Sequence, residues 1–233
     1  MLNRWAGWAE TVPDEVSSVG RLLQVPPFPE LPENVRGRQL VVVEAAILAD
    51  EAEARRLLAP LREFGPEIDT FAQLPAAALS GLHMDPPEPV PGIGDGSLID
   101  AMPPEAVDAL LAVAGPGTGS PLLSVEFRHL GGALGRAAEG GGALDRVDGR
   151  FFVYAVGVLM DPAMAGPLAE EVARANAAMT PWGRGRRLLN LADAPADTGT
   201  MFAADAYDRL RGIRARADPE RLLQPNHAIP DAA

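Results

Sequence analysis

Four apolar runs of strand length, falling in pairs with helical periods between them, constrain this chain more than any other feature. Residues 39–48, Gln-Leu-Val-Val-Val-Glu-Ala-Ala-Ile-Leu, are rich in β-branched side chains and bounded by Gly37 and Asp50, which predicts a strand. Residues 18–25 precede it as a partner, and 122–130 and 150–159 make the second pair. A short helix is expected at the N-terminus, with Trp5, Trp8 and Ala9 on one side and Pro13 ending it. Another starts at Asp50, which caps it with Glu53 three residues on, and turns Leu57, Leu58 and Leu61 inward. Residues 103–114 make a third, and Asp161-Pro162 opens a fourth that runs to about Met179. No Gly-rich strand-to-helix turn of a dinucleotide fold accompanies them. The order predicts an α+β domain over residues 1–180, an antiparallel β-sheet with helices packed on one face, followed by a helical tail over 181–233.

Composition removes several kinds of chemistry. The formal net charge of −12 repels phosphate backbones and anionic lipid, so neither nucleic acid nor membrane is an expected partner. No long apolar run reads as a membrane span or a secretion signal, which makes a cytoplasmic location the simplest expectation. The absence of Cys excludes disulfides, thiolate metal sites and thiol nucleophiles. Every basic residue is Arg, so Schiff-base chemistry and a phosphate-binding lysine are excluded as well. The three histidines, His83, His129 and His227, are too scattered to suggest a metal centre.

The tail carries the densest pattern. Phe202, Ala206, Leu210, Ile213 and Ala217 recur at helical spacing and make an apolar stripe that requires a docking surface. Asp218-Pro219 then reads as an N-cap opening a second helical turn, expected to bury Leu222 and Leu223 before Asn226-His227 and Ile229-Pro230. In register, Tyr207, Arg209-Leu210, Ile213, Asp218-Pro219, Leu222, Asn226-His227 and Ile229-Pro230 resemble the C-terminal segment of the berberine-bridge-enzyme-like flavoprotein oxidases, of the vanillyl-alcohol-oxidase type. The resemblance extends over most of the chain, best after residue 120, to the substrate-binding half of that family. It implies FAD as cofactor, hydride transfer from a small organic substrate, and an FAD-binding domain that these 233 residues do not include.

Candidate site residues follow from strand alternation and from that resemblance. Along 122–130, Ser124, Glu126 and Arg128 share one face, while Val125, Phe127 and His129 share the other. A polar stripe in mid-sheet suits the wall of a cleft, with Glu126 to accept a proton or hold a cationic substrate and Ser124 and Arg128 as substrate contacts; a solvated Arg–Glu pair is the alternative. The resemblance implies that Asn190 and Asn226 contact the flavin. It also sets Leu188 and Leu191 where the family carries tyrosines, which removes a phenol from the expected reacting centre. Tyr154 reads as core, beside Phe152, Val156 and Val158, and Arg146 as an ion pair tying its loop to the sheet. Arg184, Arg186 and Arg187 read as a solvated turn, Gly92-Ile-Gly-Asp-Gly96 as a turn, and His83 as a surface residue. Residues 66–100 read as a surface connection, with a cover over a pocket as the alternative. A non-catalytic α+β binding or assembly module is the rival reading of the whole.

Overall fold

The computed structural model describes residues 1–85 and 88–230. Five antiparallel strands form one sheet: β1 (Val16–Gln24), β2 (Gln39–Ile47), β3 (Gly92–Ile99), β4 (Ser124–His129) and β5 (Phe151–Val158), in the order β2-β1-β4-β5-β3. The helices are α1 (Leu2–Ala9), α2 (Glu51–Arg62), α3 (Pro104–Ala114), α4 (Ala165–Met179) and α5 (Ala204–Ala217). The expected α+β architecture is observed.

One face of the sheet is sealed by helices. Alternation sends Gly20 and Leu22 of β1, Val125 and Phe127 of β4, and Phe151, Val153 and Ala155 of β5 into one core with α1, α3 and α4. Trp5 of α1 is fully buried beneath Gly20, where an added Cβ would come within 2.6 Å of the indole. Its Nε1–H donates to Ser18 Oγ at 2.9 Å, and the Trp8 Nε1–H donates to the Leu57 carbonyl at 2.7 Å. Asp50 caps α2 by accepting the Glu53 N–H at 2.9 Å, as its position in the sequence predicts.

Three expectations are corrected. Gly92-Ile-Gly-Asp-Gly96 is the start of edge strand β3 rather than a turn. Its glycines alternate, so Gly92, Gly94 and Gly96 share the uncovered face, and the last two leave room for the Tyr154 and Phe152 rings of β5. The turn after α5 is not helical: Asp218 is buried and its carboxylate accepts the Leu222 and Leu223 N–H groups at 2.7 and 3.3 Å. Leu222 and Leu223 are 75% and 69% exposed instead of buried, because the two backbone bonds turn the chain without offering their side chains an apolar wall. The stripe of α5 is likewise only partly covered, with Ile213 and Ala217 exposed. Part of the Pro-rich stretch after Met84 lies outside the described residues. Before it, Ala76–Gly81 forms a 3₁₀ turn with no buried residue.

Candidate functional site

The other sheet face carries charge. Cross-strand register sets Arg21 beside Glu126 and Glu126 beside Tyr154, with Gly96 next in the row. Glu44 of β2 and Arg128 of β4 lie on the same face. Arg21 and Glu44 form a buried ion pair at 2.7 Å, their side chains 6% and 8% exposed. Glu126 is buried and accepts from Arg128 Nη2 at 2.7 Å through Oε1. Among the sequence candidates, Glu126 and Arg128 are thus joined. Ser124 instead donates to the Leu22 carbonyl at 3.2 Å and is buried, which makes it a strand tie rather than a free contact.

His83 is not a surface residue. It reaches back from the segment after Ala76–Gly81 and bridges the two buried acids, its Nδ1 2.7 Å from Glu44 Oε2 and its Nε2 3.1 Å from Glu126 Oε2. Arg21 Nη2 also donates to the His83 carbonyl at 3.2 Å. The contacts with Glu126 and Glu44 raise the imidazole pKa to about 9 against the opposing effect of burial. Burial would lift the Glu126 carboxyl, but His83 and Arg128 outweigh it and hold the group below its usual value. Nothing in the sequence pairs residue 83 with residues 44 and 126. The only signal was a lone His in a Pro-rich segment.

A sign follows for pH. The folded-state pKa of His83 is raised from 6.5 to about 9, so its stabilising contribution is complete below pH about 6.5 and is lost as pH rises through about 9. Chemical denaturation between those limits is expected to show falling stability in the native chain. In His83→Gln that slope is expected to be largely absent; an unchanged slope would place the imidazole away from the two acids.

Tyr154 corrects a second expectation. Its ring lies on the open face with Arg128 at 6.0 Å, and its hydroxyl donates to Asp193 Oδ2 at 2.9 Å. Burial first, then the bond to Asp193, pushes the phenol pKa up. Leu188 and Leu191 pack with Leu98, Leu130, Phe152 and Tyr154, laying the 188–193 turn over one end of this face. The basic stretch before that turn is pinned: Arg184 pairs with Asp100 at 2.6 Å, Arg187 with Asp95, and the edge bridge between Gly183 and Ile99 continues the sheet. Arg146 bonds Asp148 at 3.0 Å within its own loop and does not tie that loop to the sheet. A Cβ at Gly94 would come within 2.3 Å of the Tyr154 hydroxyl, so Gly94→Ala is expected to break the Tyr154–Asp193 bond, seen as a shift in the ultraviolet tyrosine spectrum.

The tail closes on the same turn. The His227 Nε2–H donates to the Ala192 carbonyl at 2.8 Å, Thr198 Oγ1 to the Ala228 carbonyl at 3.0 Å, and Arg214 Nη1 to the Ile229 carbonyl at 2.6 Å. Asn190 and Asn226 therefore lie two and one residues from a direct bond between their segments, and both are exposed. Both side-chain amides are exposed and leave donors and acceptors open to a ligand. An open groove of about 2090 Å³ approaches from the β2 side, lined by Leu23, Val42, Leu79 and Leu82 and reaching Arg21, Glu44 and His83.

No protein-family model and no curated protein matches the chain. Solved structures do. BBE-like 1 from Physcomitrella patens superposes with a TM-score of 0.78 at 12% identity, over 100% of this chain and 51% of that one. Berberine bridge enzyme from Eschscholzia californica gives 0.77 at 14%, over 100% and 52%, and a chitooligosaccharide oxidase gives 0.74 at 14%, over 100% and 52%. At such identity the likeness establishes the fold, and the chain spans about half the length of these structures.

Proposed function

We propose that the chain is the substrate-binding part of an FAD-dependent oxidoreductase of the berberine-bridge-enzyme-like kind, taking hydride from a small organic molecule. The observation that carries this reading is the chain of contacts that joins three segments distant in sequence. Tyr154, in the β4–β5 row with Glu126 and Arg128, bonds Asp193 of the 188–193 turn, and Ala192 of that turn accepts from His227 of the tail, so the segments that carry Asn190 and Asn226 adjoin. The fold, shared with a chitooligosaccharide oxidase and berberine bridge enzyme, and the tail pattern support it.

In this reading Asn190 and Asn226 hold the polar edge of the flavin, whose ring supplies the hydride acceptor. The domain that grips its pyrophosphate comes from sequence beyond these 233 residues or from a partner chain. Glu126, held ionised by Arg128 and His83, is a weak proton acceptor and serves to fix Arg128 and the substrate. The proton of an oxidised hydroxyl passes instead to the Tyr154 oxygen as Tyr154 releases its own to Asp193. Tyr154→Phe in the flavin-containing enzyme is expected to lower kcat about 100-fold or more with flavin content unchanged. A kcat within twofold of the parent would remove Tyr154 from the proton path.

One observation favours the non-catalytic alternative: Leu188 and Leu191 fill the face near Tyr154 with apolar side chains. If the chain is such a module, protein carrying no flavin would still bind its ligand on the open face.

A further inference from the structure

Among the described residues the imidazole of His83 alone bridges two buried carboxylates, and it comes from a segment with few buried contacts of its own. Glu44 and Glu126 are 7% and 2% exposed. One oxygen of each lies 2.7 Å from a guanidinium nitrogen: Oε1 of Glu44 is ion-paired with Arg21 without an aligned hydrogen bond, and Oε1 of Glu126 accepts from Arg128. The other oxygens, both Oε2, face the two ring nitrogens of His83. The fit is imperfect on both acids, because neither Glu126 Oε2 nor Glu44 Oε1 has a well-aligned hydrogen-bond donor. The segment that carries His83 has no buried residue in Ala76–Gly81, leaves Leu79 and Met84 48% and 67% exposed, and bends through a left-handed φ of 56° at Met84. The groove lined by Leu23, Val42, Leu79 and Leu82 also borders this ring and Glu44.

We infer that Glu44 and Glu126 form a binding site for the protonated amine of a ligand with an apolar body, and that His83 fills the site until such a ligand enters. Without the imidazole, Arg21, Glu44, Glu126 and Arg128 balance in charge, but the Oε2 atoms of Glu44 and Glu126 lose the group that faces them. A primary ammonium has three donors and satisfies both oxygens at once, while its apolar body lies along the groove. A neutral alcohol of the same shape has one donor and leaves a buried carboxylate oxygen bare, at a cost that makes it the poorer ligand. The ring and the ammonium compete for one position, so ligand binding frees the segment over residues 76–85.

This inference rests on reading the open face as a substrate cleft, but its test needs no flavin. Benzylamine and benzyl alcohol are titrated into the 233-residue chain and its His83→Ala variant at neutral pH, with calorimetry for affinity and the His83 ring signals in NMR for displacement. Benzylamine is expected to bind saturably, to shift the His83 signals in the native chain, and to bind His83→Ala at least tenfold more tightly than the native chain. Benzyl alcohol is expected to bind at least tenfold more weakly than the amine in both. His83→Gln, which keeps a neutral hydrogen-bonding side chain, replaces His83→Ala if that variant does not fold. Equal affinities for amine and alcohol, or no gain on removing the imidazole, would overturn the assignment. A flavin-free gene product would count against the oxidoreductase reading and leave this result standing.

Discussion

Arg21→Met is expected to destabilise the chain by about 3–5 kcal/mol, read as a lower urea midpoint at unchanged slope. The guanidinium and the Glu44 carboxylate are both out of water, with side chains 6% and 8% exposed. Methionine matches the aliphatic stem of the lost side chain but leaves Glu44 with His83 as its remaining charged partner. The cost is that of an uncompensated buried ion, larger than the net worth of the pair. The double change Arg21→Met with Glu44→Leu is therefore expected to recover most of the loss, since an apolar pair of similar volume removes both desolvated charges. A single variant within about 1 kcal/mol of the parent would mean that water reaches these groups and that the His83 segment does not cover them.

Trp5→Ala is expected to cost about 3–5 kcal/mol, because it opens a cavity the size of an indole under the centre of the sheet. The ring has no exposed surface, lies 5.7 Å from the Phe151 ring, and fits beneath a strand that has glycine where any side chain would collide. Its loss also leaves Ser18 Oγ without its donor. The consequence extends to the opposite face. Gly20, which rests on the indole, adjoins Arg21 in β1, so slack at Trp5 loosens the strand that carries the Glu44 partner. The pH dependence attributed to His83 is expected to shrink in Trp5→Ala even where the protein remains folded. A variant that loses stability with that dependence intact would separate the two faces energetically.

Strands with a regular two-residue alternation were legible without coordinates, and so was the face that bears Glu126 and Arg128. β-Branched density in 39–48 and the split between Glu126 and Phe127 are local properties of a pleated chain. β3 was not legible as a strand, because alternating glycines resemble a flexible turn. Their purpose lies in Phe152 and Tyr154, whose rings occupy the space those glycines leave. His83 escaped for the opposite reason: its partners at positions 44 and 126 are set by sheet register and by the path of a long connection, neither of which has a sequence period. Leu222 and Leu223 looked buried because a capped turn commonly hides its leucines. Here Asp218 makes the capping bonds while the side chains remain exposed. Asn190 and Asn226 were identified only through the resemblance, and the His227–Ala192 bond is what brings their segments together.

The account turns on an isoalloxazine ring meeting the open face beside Asn190 and Asn226. The direct measurement is the flavin content of the protein isolated from its own cells, by visible absorbance per polypeptide, with and without Asn190→Ala and Asn226→Ala. Close to one flavin per chain, retained less well in both variants and bleached by substrate without oxygen, is the expected result. A colourless protein that gains no flavin on addition of FAD, or flavin retention indifferent to both amides, would contradict it.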